Sequence, residues 1–147
     1  MRFMLVLTYD EAAAAAKTPD PAIFEEMGRF NQAMVDAGVL LAGEGLAPSA
    51  QGAIVAYGDA EGGAAEEPTV TDGPFTEIKE LIGGFWILRV DSLADAVSWA
   101  RRAPFRDGER VQIRRVLDPE DFEGVAPDEV MEAESEMRSR IEQQSGS

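Results

Sequence analysis

The 147-residue chain carries 28 acidic against 13 basic side chains, a formal net charge of −15, and contains neither cysteine nor histidine. Without cysteine there is no disulfide, thiolate metal site or thiol nucleophile, and without histidine the usual general base and the commonest metal ligand are gone. A polyanion gains no counterion release on meeting DNA or RNA and is repelled by anionic lipid, so neither nucleic acid nor membrane is expected as a partner.

One domain is expected, since a chain of this length buries roughly 68–70% of the surface its unfolded form exposes. The opening "MRFMLVLTYD" is apolar only as far as Leu7, too short for a signal segment or a membrane span. A soluble, cytoplasmic chain is therefore expected. Its alternation puts Phe3, Leu5 and Leu7 on one strand face and Met4 and Val6 on the other, so both faces ask for cover. After an alanine run, "TPDPAIFEEMGRFNQAMVDAG" predicts a helix capped by Asp20, with Pro21 in its first turn. Ile23, Met27, Phe30 and Met34 form its apolar stripe, and Gly38 ends it.

"VLLAGEGLAP" reads as a second strand, and residues 53–57 and 68–72 as the arms of a hairpin joined by the polar connection 58–67, which is expected to be mobile. "FWILRV" (85–90) is another strand with two apolar faces. "DSLADAVSWARRA" predicts a helix capped by Ser92, with Leu93, Val97 and Ala100 buried and Pro104 as its stop. "RVQIRRV" is the last strand, with Val111 and Ile113 inward. Residues 118–147 form an extension whose helix from Asp128 to about Gln143 has a narrow stripe of Val130, Met137 and Ile141 and an i, i+4 pair of Glu136 with Arg140. It reads as an arm with a disordered polar end.

This order predicts an α+β fold, a ferredoxin-like βαββαβ domain over residues 1–117 with an inserted hairpin. Two helices on one face leave the other open. The two-faced strands therefore predict a homodimer through that face, with a fold-back of a loop or of the extension as the alternative.

"TDGPFTEIKELIGGF" (71–85) concentrates the candidate chemistry. As plain structure, Pro74 fixes a corner, Asp72 bonds the amide of Phe75, Phe75 and Ile78 are buried, and Gly83 and Gly84 admit a neighbouring backbone. As a site, Asp72, Glu77, Lys79 and Glu80 gather beside two glycines, and a lysine between carboxylates can hold one ionised. Glu44, between two glycines, is a candidate ligand contact. "GEGLAPSAQG" lacks the spacing of a phosphate loop, and no metal site and no cofactor is read from the residues.

The same segment resembles the signature of the DGPF-domain group of YCII-related (YciI-like) proteins, matched at Asp72, Gly73, Pro74, Phe75, Glu77, Lys79, Glu80 and Gly84. "RFMLVLTYD", "AGVLLAGEGLAP" and "VQIRRVLDPEDFEG" extend the likeness over most of residues 1–124. The resemblance implies a bacterial protein with ferredoxin-like subunits in a dimeric α+β barrel, and for many relatives a link to extracytoplasmic-function sigma factors. It supplies no established reaction. The His-Asp pair suggested for YciI-like members has no counterpart in a chain without histidine.

Two functions follow as expectations. One is a cofactor-independent lyase or isomerase of a small organic molecule, with Asp72 or Glu77 as base and Lys79 as its charge partner, and with Glu44, Gly73, Pro74, Phe75 and Glu80 around the ligand. The other is a non-catalytic dimer that binds a small ligand or a protein in a sigma-factor-linked pathway.

Overall fold

A computed structural model describes residues 1–58 and 67–146. Two compact units divide the chain, Met1–Arg115 and Val116–Ser147.

In the first unit, strands β1 (Arg2–Tyr9), β2 (Leu40–Gly45), β5 (Leu81–Arg89) and β6 (Arg110–Arg115) form one antiparallel sheet in the order β2-β5-β1-β6. Helices α2 (Ala22–Asp36) and α3 (Leu93–Ala100) complete the ferredoxin-like plan, and β3 (Ala53–Ala56) pairs with β4 (Thr69–Asp72) as a separate two-stranded sheet. Phe3, Leu5, Trp86, Leu88 and Val90 meet Phe30 and Met34 of α2 and Ala96 of α3 in one buried core. The polar connection of the hairpin falls, at residues 59–66, outside the described residues, as does the final Ser147.

Local chemistry accounts for the element ends. Asp20 Oδ1 accepts from the amide of Ala22 at 3.0 Å and so caps α2, with Pro21 at its entry. At the other end Gly38 takes φ +71°, its amide bonds Val35 O and that of Val39 bonds Met34 O, the paired reversal of a Schellman ending. Ser92 caps α3 by accepting from Asp95 N at 3.1 Å. A short helix not read from the alanine run, α1 (Glu11–Ala15), is started by Asp10, whose carboxylate accepts from Ala13 N.

Three expectations are revised. No barrel closes: β2 and β6 are opposite edges of an open sheet, and β3 and β4 do not join it. The dimer inferred from two-faced strands is not shown by a single chain. Met4, Val6, Phe85 and Ile87 are already half-buried within one chain. The register pairs Met4 with Ile87 and Val6 with Phe85, and flanks them on β6 with Arg114 and Gln112, so the outer face is apolar at its centre and polar on the β6 side. Helix α3 is the third case. Leu93 is 54% and Val97 40% exposed while Ala96 is fully buried, so the helix turns its small residues to the sheet and approaches it closely.

β5 also begins earlier than the apolar run suggested. It takes in Leu81, Ile82 and both glycines, because a Cβ on Gly84 would lie 2.9 Å from the carbonyl oxygen of Glu44 on the neighbouring strand. The double glycine is strand rather than flexible lip.

In the second unit a 3-10 turn at Pro119–Phe122 is closed by Asp118 and Asp121, and α4 runs Asp128–Ser145. Its Val130, Met137 and Ile141 are exposed, and its ion pair joins Glu134 to Arg138 at 2.7 Å rather than Glu136 to Arg140. No helix among the described residues is long and apolar enough to cross a membrane.

Candidate functional site

The Asp-Gly-Pro-Phe segment is bolted to the chain that follows β2. Gly73 N donates to Gly52 O at 2.9 Å, and a Cβ on Gly73 would fall 1.7 Å from Ser49 O, so no side chain fits there. The Gly73-Pro74 peptide is cis. The amide of Phe75, expected to bond Asp72, instead donates to Ser49 Oγ at 3.1 Å. That hydroxyl in turn donates to Glu11 Oε1 at 2.8 Å, and Ser49 N donates to Glu11 Oε2 at 3.0 Å.

Glu11 thus joins α1, the 49–52 turn and the 73–75 corner. The backbone and side-chain hydrogen bonds from Ser49 hold its carboxyl below the usual glutamate range. Tyr9 donates a long bond of 3.5 Å to the same carboxylate, and its phenol is pushed up by burial and then by the nearby Glu11 charge. Sequence reading missed Glu11 and Ser49 altogether, because the two are separated by 38 positions and neither lies in a recognisable pattern.

The expected site residues are not drawn together around this clamp. Asp72 ends β4 opposite Ala53 and is exposed, as are Glu77 and Lys79. Lys79 forms no ion pair among the described residues, and Glu80 is taken by Arg110 of β6 at 2.9 Å. Phe75 is half-buried, its ring beside Gly52, whereas Ile78 is exposed. Gly73 and Pro74 shape the corner. Among the described residues no group of three or more acidic side chains gathers as a metal site.

Glu44 borders a cleft of about 300 Å³ between α2 and the β2–β5 end of the sheet, but it pairs with Phe85, so its carboxylate belongs to the opposite sheet face from Trp86. Met27 and Asn31 of α2 form one wall, Trp86 and Phe105 another, and Gly43, Gly45 and Gly84 open the strand side. Trp86 is fixed by Phe30 edge-on at 5.9 Å, by Phe105 at 5.7 Å, and by its indole N–H, which donates to Asn31 Oδ1 at 2.9 Å. That bond orients the Asn31 amide and leaves its Nδ2 donors without an intramolecular acceptor among the described residues. A Cβ on Gly43 would strike Trp86 at 2.9 Å, whereas one on Gly45 would meet nothing within 4 Å. A wider depression of about 680 Å³ lies by the α1–α2 connection, but its rim is internally paired, Lys17 to Asp107 at 3.4 Å and Arg106 N to Glu109 at 2.9 Å.

Residues 1–120 match the family described as YCII-related domain. A protein of Rhizobium meliloti (strain 1021), described only as uncharacterized, is 32% identical over 99 residues, covering 65% of this chain and 75% of the relative. The Asp72–Phe75 corner, its glycine-dependent seat on the 49–52 turn and the strand order fall within the matched span, and the chain belongs to the YCII-related family.

Proposed function

We propose that this YCII-related chain binds a small, largely apolar organic molecule carrying a hydrogen-bond acceptor, in the cleft between α2 and β2–β5. The observation that supports it is the Asn31 amide, oriented by Trp86 through its oxygen and with its Nδ2 donors unpaired among the described residues, lining a glycine-edged cavity at the lower end of the size range for ligand sites. Met27, Trp86 and Phe105 supply the apolar wall and Asn31 the donor. Gly73, Pro74 and Phe75 act indirectly in this reading. They steady the turn that continues from β2, where Leu46 N bonds Gly83 O at 3.0 Å beside the cleft.

A lyase or isomerase using Asp72 or Glu77 as base and Lys79 as charge partner needs those groups within hydrogen-bond reach of one substrate. Their side chains stand exposed and unpaired with each other, so binding is the function the geometry favours.

The test is a thermal-shift and tryptophan-fluorescence screen of lactones and ring amides against the wild type and Gly45→Leu, whose side chain grows into the open cleft. A ligand at a hundred times its Kd adds about 2.7 kcal/mol, which raises Tm by about 5–10 °C. Gly45→Leu should melt near the wild-type temperature and lose the shift. Ligands that bind Gly45→Leu as tightly as the wild type would place binding elsewhere.

A further inference from the structure

The geometry points to a second site, for a small dianion of the phosphate or dicarboxylate type, between α2 and the chain that follows α3, at Arg29 and Arg102. A cleft of about 290 Å³ there is lined by Glu26, Arg29, Phe30, Ala33, Arg102 and Pro104. Its charge runs against the rest of the molecule. In a chain of net charge −15, two arginines line this cleft, and the one acidic residue beside them, Glu26, is already paired with Arg106.

Neither Arg29 nor Arg102 forms an ion pair among the described residues. Arg102 is also held in place: its guanidinium lies over the Trp99 ring at 4.4 Å from the centroid. A cation–π contact occupies the face of the guanidinium and leaves its edge N–H donors free for the forked pairing that carboxylate and phosphate accept. Phe30, 5% exposed, and Pro104 give the cleft an apolar side, which lowers the local dielectric and strengthens charge pairing. Two unpaired positive charges beside a neutralised third match an anion of charge two. This site shares no lining residue with the Asn31 cleft, so either can fail without the other.

Isothermal titration with inorganic phosphate, and separately with succinate, tests it on the wild-type chain and on Arg29→Gln, Arg102→Gln, Arg102→Lys and Arg101→Gln. Saturable one-to-one binding is expected for at least one probe, with a Kd of about 0.1–1 mM that weakens as sodium chloride is added. Arg29→Gln and Arg102→Gln should each lower affinity about tenfold or more. Arg102→Lys should lower it too, because an ammonium neither forks nor stacks in the same way. Arg101→Gln, exposed and outside the cleft, should bind as the wild type. Should Arg102→Gln melt early for want of its stacking on Trp99, Arg29→Gln alone decides. No saturable heat with either probe, or unchanged affinity in Arg29→Gln, overturns the proposal.

Discussion

Gly73→Ala is the most informative single substitution in the Asp72–Phe75 corner. The added Cβ would sit 1.7 Å from Ser49 O and 2.5 Å from Ser49 C, both backbone atoms of a turn held at its other side by Glu11. Relief therefore needs the 49–52 turn and the 73–75 corner to separate. Separation breaks Gly73 N to Gly52 O and Phe75 N to Ser49 Oγ, and strains the Ser49 bonds to Glu11. At about 1 kcal/mol for each of two to three hydrogen bonds, the loss is about 2–3 kcal/mol. For a chain of this size that lowers Tm by about 4–12 °C. Urea unfolding followed by tryptophan fluorescence reads the unit concerned, since Trp86 and Trp99 both lie in Met1–Arg115. Gly45→Ala is the matched control, with open space around its Cβ, and should change stability by less than about 0.5 kcal/mol. A Gly73→Ala midpoint equal to that of Gly45→Ala would refute the seat described for this corner.

Ser49→Ala removes the acceptor of Phe75 N and a donor to Glu11, and should cost about 1–2 kcal/mol in the same assay. Glu11 gives this clamp a pH signature. Its folded pKa lies below its unfolded value, so the stabilisation is complete above the ordinary glutamate range and fades as pH falls through the lowered folded value. The stability difference between wild type and Glu11→Gln should accordingly shrink on acidification, and a difference flat with pH would contradict the assignment. On α3, Ala96→Leu should lose about 1–3 kcal/mol by overpacking the sheet, whereas Leu93→Ala, at an exposed position, should lose less than about 0.5 kcal/mol in thermal melts.

Much of the scaffold was legible because its signals are local. Period-two alternation located the sheet strands, Asp20 and Gly38 bounded α2, and Ser92 started α3. The misreadings share one cause, which is that packing distance is invisible in a linear pattern. The bulkiest stripe of α3, Leu93 and Val97, suggested a buried face, yet a helix lying close over β1 and β6 needs Ala96 there instead. Likewise the apolar count of β1 and β5 suggested a wholly greasy face, while the register pairs Met4 with Ile87 and Val6 with Phe85 and flanks them on β6 with Arg114 and Gln112.

The site was harder to read for a more specific reason. Motif reasoning assigns chemistry to the reactive residue types within a motif, here Asp72, Glu77 and Lys79, yet in this corner the most constrained member is Gly73, which has no side chain at all. Its partners, Glu11, Ser49 and Gly52, come from two other stretches of chain and are joined to it only by folding. The cleft follows the same logic, since Gly43 is required by the Trp86 ring and Gly84 by a backbone carbonyl, while Gly45 alone faces open space. A glycine excluded by a neighbour maintains the wall, and a glycine beside emptiness maintains the cavity. Gly73→Ala and Gly45→Leu therefore separate two roles that one residue type plays in this fold: the first should cost stability, the second only the ligand.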